Sequence, residues 1–99
     1  MTIDGPLARA ARALVQWPRD FVARKARLEE EALAGFEAGT APLDDAAIAR
    51  LRAVLEGGGA VFIPENGGGR GVHLKFARKD VRAIARLEGE GGPVGDDDV

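Results

Sequence analysis

The stretch Ala8–Gly39 reads ARAARALVQWPRDFVARKARLEEEALAGFEAG, and its pattern predicts three short helices joined by tight turns. Apolar side chains recur in it at spacings of three and four, which is the period of one helix face. Trp17-Pro18 ends the first helix, since Pro18 suits the first position of the next one. Leu28 lies in the turn before the third helix, which Gly39 ends. Two short helices across a tight turn form the helix-turn-helix plan.

We predict helices at about 7–16, 18–25, 29–36 and 45–56, with residues 1–6 as a loose lead-in. Asp44 or Asp45 is suited to cap the fourth helix, because a carboxylate accepts from the free N–H groups of a first turn. Arg12 falls on the polar side of the first helix, and Gly35 is interpreted as a packing or close-approach position. The side chains expected to face the core are Leu7, Ala10, Ala11, Leu14, Val15, Val22, Ala23, Ala26, Leu33, Phe36, Ile48, Leu51, Val54 and Leu55.

In residues 60–76 the apolar pattern changes to alternation, which predicts a β-hairpin. The Asn66-Gly67 pair between the two runs is a turn signal. The alternating runs are Val61, Phe62 and Ile63, then Val72, His73, Leu74, Lys75 and Phe76. Two strands alone are marginal in water, so we expect the hairpin to lie on a helix or to meet a partner's hairpin. Its free edge is a predicted dimer seam.

The C-terminal part of the chain predicts a last helix over 77–88 and a glycine-rich acidic tail over 89–99, which we expect to be mobile or weakly docked. At 99 residues, the chain fits a single domain. It has no cysteine, which excludes disulfides, thiolate metal sites and a cysteine nucleophile. We find no apolar run long enough for a membrane span and no signal-peptide plan, so we expect a cytoplasmic protein with no membrane partner.

The net charge is −2, but the charges are strongly segregated along the chain. Residues 1–27 carry a net of +4 and residues 70–86 a net of +5, whereas residues 28–56 carry −5. The chain from Leu87 onward has five acidic residues and no basic ones. A basic face is typical of a nucleic-acid binder, and here it falls on the first two helices and on the later segment.

The sequence offers little for catalysis. Serine and tyrosine are absent, and His73 is the single histidine. We interpret His73 as a surface residue, Gly67–Gly71 as a hairpin turn rather than a phosphate loop, and Asp96–Asp98 as solvated tail. Trp17 is interpreted as a core or dimer-contact residue rather than a ligand-stacking one. We therefore expect no enzyme activity, no cofactor and no metal.

Several blocks of the chain resemble bacterial transcriptional regulators of the XRE (lambda-repressor-like) family, in its short alphaproteobacterial form. The resemblance covers most of residues 8–76. It rests on the Ala-Arg-Ala-Leu run ending in Trp17, on Asp20–Ala23, Ala26, Leu28 and Phe36–Gly39, and downstream on Ile48–Glu56 and Val61–Gly69. It implies a mainly α, lambda-repressor-like helix-turn-helix bundle of four short helices, followed by a C-terminal β-hairpin and a short terminal helix.

The resemblance also implies a role for particular residues. In this architecture the start of the second helix contacts phosphate and the first residues of the third helix reach base edges. The DNA-binding residues implied are Arg19, Arg24, Arg27, Glu29, Glu30, Glu31 and Gly35, with Lys25 adding positive charge. Family members usually carry Ser, Thr, Arg, Asn or Gln where this chain has Glu29-Glu30-Glu31. A glutamate can accept from the cytosine amino group, and carboxylates also favour a helix N-terminus.

Three functional hypotheses follow. The first is a nucleoid-associated, sequence-specific DNA-binding regulator, a small homodimer formed through the hairpin that reads an operator with two half-sites. The second is a protein-interaction module, an anti-activator or co-regulator whose helix-turn-helix no longer reads bases. The third transfers DNA contact to a basic stripe, which comprises Arg70, Lys75, Arg78, Lys79, Arg82 and Arg86.

Overall fold

The computed structural model describes residues 2–75, which form four helices followed by an antiparallel two-stranded hairpin. The elements are α1 (Gly5–Val15), α2 (Arg19–Lys25), α3 (Glu30–Ala38), α4 (Asp45–Gly57), β1 (Ala60–Ile63) and β2 (Gly71–Leu74). The prediction of a mainly helical chain with a hairpin is thereby confirmed. The predicted helix over 77–88 and the acidic tail over 89–99 lie outside the described residues, as do Phe76, Arg78, Lys79, Arg82 and Arg86.

The N-terminal segment is part of the fold, so the predicted loose lead-in is wrong for the described residues that precede Leu7. Ile3 is 1% exposed and belongs to the hydrophobic core. Asp4 caps α1 by accepting a 3.0 Å hydrogen bond from the Leu7 backbone N–H. The helix therefore begins at Gly5, because the cap satisfies an N–H group that has no partner inside the first turn.

The inward face of α1 is rotated from the prediction. Leu7 and Ala11 are buried as expected, but Ala8 is buried where Ala10 was predicted to be, and Ala10 is exposed. Leu14 is 38% exposed, so its predicted place in the core is also wrong. Because α1 carries alanines on both its buried and its exposed face, the spacing of its apolar residues does not fix which face is buried.

The other helices begin and end close to their predicted signals. Pro18 precedes α2 as its N-cap rather than occupying the first helical position. Gly39 ends α3 in the left-handed conformation with φ of 79°. Asp44 caps α4 by accepting from the Ala47 N–H at 2.7 Å. These ends agree with the chemistry of caps, which uses a carboxylate before a helix and a glycine after it.

The core lies between the four helices and one face of the hairpin. Its fully buried large side chains are Ile3, Val22, Leu33, Leu51 and Leu55. Of the predicted core of α2 to α4, Ala23, Ala26 and Phe36 are buried as well, while Ile48 and Val54 are partly buried against it. Among residues 2–75, none of the helices has both the length and the apolar character needed to cross a membrane.

The hairpin pairs Phe62 with Val72 and Ala60 with Leu74. Ala60 and Phe62 are buried in the core, which places Val61 on the opposite face, 36% exposed. The hairpin was expected to lie on a helix or to meet a partner's hairpin, and in the structure it packs on α1. Residues 64–70 connect the strands. Asn66 therefore lies within a longer loop, where its side chain accepts from the Gly68 N–H, and does not form a two-residue turn.

Arg70, in the hairpin loop, donates a hydrogen bond to the Asp4 carboxylate that caps α1. Burial on its own raises the pKa of Asp4, but the Leu7 N–H and Arg70 outweigh it and hold that pKa below its ordinary value. The resulting stabilisation is present above the ordinary pKa of aspartate and is lost as the pH falls through the lowered value. The Asp4 carboxylate thus caps α1 and also holds the hairpin loop against the start of that helix.

Candidate functional site

The turn between α2 and α3 consists of residues 26–29 and has a defined hydrogen-bonding pattern. The Leu28 N–H donates to the Ala23 carbonyl at 2.8 Å, and the Arg27 N–H donates to the Arg24 carbonyl at 3.1 Å. This pair of bonds is the Schellman motif, which requires one residue in the left-handed conformation. That residue is Arg27, with φ of 59°, and Leu28 then packs against the core.

Arg27 occupies a backbone conformation that favours glycine, so we expect Arg27→Gly to stabilise the protein by about 1 kcal/mol. The measurement is the free energy of unfolding in urea. Arg27→Ala is the matched control, because it removes the same charge and keeps the left-handed penalty of a side chain. Equal stabilities of the glycine and alanine variants would show that the backbone at Arg27 is unstrained.

The three glutamates implied as DNA-binding residues lie at the start of α3, and Glu30 and Glu31 are the two implied to read bases. Glu29 is the N-cap, although its side chain makes no capping hydrogen bond, and Glu30 and Glu31 form part of the first turn. All three residues are exposed. Each carboxylate at this end interacts favourably with the helix dipole, by roughly 0.3–1 kcal/mol when exposed. They are therefore compatible with a stable α3 and are open to a partner.

Arg19, the implied phosphate contact, lies at the start of α2 beside the start of α3. Its Nε is 3.7 Å from Oε2 of Glu30, and about half of each side chain is accessible. The Arg19 Nε–H is itself buried and has no hydrogen-bond partner within residues 2–75. The structure thus brings together the first residues of the two helices, which the sequence could only assign separately.

The remaining basic side chains of α2 surround an aromatic pair. Arg24 and Lys25 lie over the Phe21 ring, at 6.0 Å and 5.5 Å from its centroid. Phe21 in turn meets the Trp17 ring edge-on, with centroids 5.0 Å apart. Arg24 and Lys25 are exposed, and cation–π contacts of this kind contribute roughly 0.5–1 kcal/mol at exposed sites. They present positive charge beside the turn.

Trp17 was predicted to be a core residue or a dimer contact. Its side chain is partly buried against the core, which agrees with the first of these. A Cβ added to Gly58 would lie 2.8 Å from the Trp17 ring, so the missing side chain at Gly58 permits this ring to approach the backbone. Trp17 therefore links the end of α1 to the end of α4.

Gly35 has a packing role, as predicted. A Cβ at Gly35 would lie 3.0 Å from the Ala41 Cβ, which is tighter than ordinary contact. The Gly35 carbonyl also accepts from the N–H groups of Thr40 and Ala41, at 2.9 and 3.2 Å. The residue thus allows the chain after α3 to fold back against the helix.

Two residues that sequence reasoning did not connect set the position of α3. Arg12 Nε and Nη2 donate to the two carboxylate oxygens of Glu37, at 2.8 and 2.9 Å, and Nη1 donates to the Trp17 carbonyl at 3.3 Å. Glu37 is 6% exposed. The hydrogen bond to Glu37 raises the pKa of the Arg12 guanidinium above its ordinary value. No spacing rule could have found this pair, because 25 positions separate its members.

A second anchor holds the turn from the side of α4. Arg50 Nε donates to the Ala26 carbonyl at 2.9 Å. That carbonyl lies at the end of α2, where the last turn of a helix leaves acceptors without partners. Arg12 and Arg50 therefore fix α3 and the turn from two neighbouring helices.

The alternative basic stripe is described only in part. Arg70 is paired with Asp4, and the Lys75 backbone N–H donates to the Gly59 carbonyl at 2.6 Å. His73 is exposed on the strand, with its ring Nδ1 2.8 Å from the Leu74 carbonyl oxygen. Over residues 2–75, no group of three or more His, Cys, Asp or Glu side chains is placed to hold a metal ion.

Comparison of the chain with known protein families finds no matching family model. Comparison with curated proteins also finds no match. The function is therefore inferred from the residues, from their geometry and from the motif resemblance described above.

Proposed function

We propose that the protein is a small DNA-binding transcriptional regulator in which α2 and α3 form a lambda-repressor-like helix-turn-helix. The observation that carries this proposal is the position of Arg19, at the start of α2, beside Glu30, at the start of α3. A Schellman turn joins the end of α2 to the start of α3. In such a motif the start of the first of these helices lies at the DNA backbone and the start of the second enters the major groove.

The charge around the turn supports a backbone contact. Arg24, Lys25 and Arg27 are exposed and lie at the end of α2 and in the turn. Lysine and arginine that neutralise phosphates release condensed counterions, which gives binding its salt dependence. These side chains provide non-specific attraction, while the first turn of α3 provides the contacts that discriminate sequence.

The carboxylates of α3 add a repulsive term toward phosphate, which Arg19 partly offsets at Glu30. Buried in a groove, a carboxylate facing a cytosine amino group makes a favourable contact, whereas one facing a base acceptor is repelled. Glutamates at this end of α3 thus favour selectivity over general affinity.

The proposed regulator acts as a homodimer, in the cytoplasm with the nucleoid. Within residues 2–75 the sheet holds only β1 and β2, so each strand has one edge without a strand partner in the described chain. Such an edge is open to strand addition from a second copy. Light scattering at high micromolar concentration tests this, since a monomer there would remove the hairpin-seam proposal.

Fluorescence anisotropy with the protein's own promoter region tests the function. We expect binding tighter than to random duplex of equal length, with an affinity that falls as salt rises. Arg24→Gln should weaken binding to both duplexes alike and reduce the salt slope by about 1 if Arg24 contacts phosphate. Affinity for the promoter that never exceeds that for random DNA would overturn the proposal of a specific regulator.

A second candidate is a protein-interaction module, favoured by the exposure of Glu29, Glu30 and Glu31 together on one helix turn. This acidic surface would contact a basic surface of another regulator or of RNA polymerase. Replacing Glu30 and Glu31 with Gln separates the two functions. A DNA reader changes its sequence preference, whereas an interaction module loses partner capture and shows no specific DNA binding before or after the change.

A further inference from the structure

Arg19 and Glu30 form an ion pair between the starts of α2 and α3, which we call the couplet. The closest atoms of the two side chains are Arg19 Nε and Glu30 Oε2, which are 3.7 Å apart. Within residues 2–75, the buried Nε–H of Arg19 has no hydrogen-bond partner. About half of each side chain is accessible, so an exposed cation lies beside an exposed carboxylate.

From this geometry we infer that Arg19 and Glu30 read one G·C base pair together in each half-site, with Arg19 facing guanine and Glu30 facing cytosine. The inference rests on the proposed DNA-binding function and assigns a base pair to it. It also changes the role of Arg19 from a phosphate contact to a base contact.

The major-groove edge of a G·C pair matches the couplet in order and in charge. It presents guanine N7 and O6, which are both acceptors, next to the cytosine N4 amino group, which is a donor. The Arg19 Nη groups can donate to N7 and O6 as a fork, while Glu30 accepts from N4. The guanidinium and carboxylate then remain neighbours, as they are in the free protein.

An A·T pair does not fit the couplet. Its edge places an adenine amino donor between two acceptors, adenine N7 and thymine O4, and ends in a methyl group. An arginine fork on adenine meets that donor, and a carboxylate on thymine meets an acceptor. Specificity therefore comes from repulsion of the wrong pair as well as from attraction to the right one.

The pairing also explains why an acidic residue is tolerated at this position. A carboxylate without a neighbouring cation weakens binding when it lies near phosphate. Glu30 already has Arg19 beside it in the free protein. Side-chain order is partly set in advance, which reduces the conformational entropy lost on binding. Glu56 also pairs with an arginine, Arg52, but lies on α4 outside the first turns of α2 and α3, so it serves as the matched control.

The test uses half-site duplexes obtained by selecting wild-type binders from random sequence. Each G·C pair is changed to A·T in turn, and affinities are measured for the wild type, Arg19→Gln, Arg19→Lys, Glu30→Gln and Glu56→Gln. At one shared position we expect the wild type to favour G·C by roughly tenfold to a hundredfold. Arg19→Gln and Glu30→Gln should each reduce that preference to about threefold or less, and Glu56→Gln should leave it unchanged.

Arg19→Lys keeps the charge but lacks the planar fork. It should reduce the preference at the shared position, because an ammonium donates to guanine without a fixed pair of donors, and it should retain the wild-type affinity for random DNA. If Arg19→Gln and Glu30→Gln act at different positions, or if Arg19→Gln weakens all duplexes equally, the couplet is overturned and specific DNA binding stands. If the wild type selects no sequence at all, the proposed function itself is overturned.

Discussion

Gly5→Ala is expected to destabilise the protein by about 3 kcal/mol or more, at the upper end of the range for overpacking a folded interior. A Cβ at Gly5 would lie 2.0 Å from the Phe36 carbonyl oxygen, 3.0 Å from its carbon and 3.2 Å from the Glu37 Cα. All three are backbone atoms, so no side-chain rotation relieves the overlap. The start of α1 would have to move away from the end of α3.

Gly57→Ala is the matched control for that substitution. Gly57 is also helical, as the last residue of α4, but a Cβ there meets no described atom within 4 Å. We expect this variant to gain about 0.5–1 kcal/mol, because alanine is the better helix former. Urea unfolding measures both changes. A Gly5→Ala variant within roughly 0.5 kcal/mol of the wild type would contradict the close packing of α1 on α3.

Glu37→Ala has the second large expected effect, a loss of about 3 kcal/mol. The substitution leaves the Arg12 guanidinium without its carboxylate, in a site where the two side chains are 20% and 4% exposed. Removing one member of a largely buried pair is far more harmful than removing both. We therefore expect the double variant Arg12→Met/Glu37→Leu to lose less stability than Glu37→Ala alone.

Glu56→Ala is the control for the Glu37 prediction, since Glu56 also pairs with an arginine, at 2.8 Å from Arg52. That pair is 30% and 41% exposed and lies on one helix, so its removal should change the free energy of unfolding by less than about 0.5 kcal/mol. Equal losses for Glu37→Ala and Glu56→Ala in urea unfolding would show that burial adds nothing to the Arg12–Glu37 pair.

Local signals in the sequence predicted the elements well. Pro18, Asp44 and Gly39 each have a backbone or capping preference that acts within one turn, and each lies at an element end in the structure. Leu28 was predicted to lie in the turn between helices and does so. Short-range chemistry of this kind is readable from one chain because it does not depend on tertiary packing.

The errors have tertiary causes. Ile3 carries no periodic signal, since it is a single apolar residue in a polar segment, yet its side chain is buried in the core. In β1 both faces are apolar, so alternation could not show that Phe62 rather than Val61 would be buried. The Arg12–Glu37 pair joins two helices whose contact the sequence does not state.

The candidate site was only half predictable. The positions of Arg19 and Glu30 followed from the resemblance to a helix-turn-helix, but their 3.7 Å separation is a property of how α2 meets α3. Arg27 shows the same limit. Its basic charge suggested a DNA contact, whereas the structure adds that its backbone is left-handed, a conformation to which glycine is better suited.

Selection of bound duplexes from random-sequence DNA, followed by sequencing, is the sharpest test of DNA reading by α2 and α3. We expect an enriched motif with two half-sites related by two-fold symmetry and centred about one helical turn apart, or a multiple of it. We also expect that replacing Glu30 and Glu31 with Gln alters the enriched bases. A wild-type protein that enriches no base at any position would contradict DNA reading by α2 and α3.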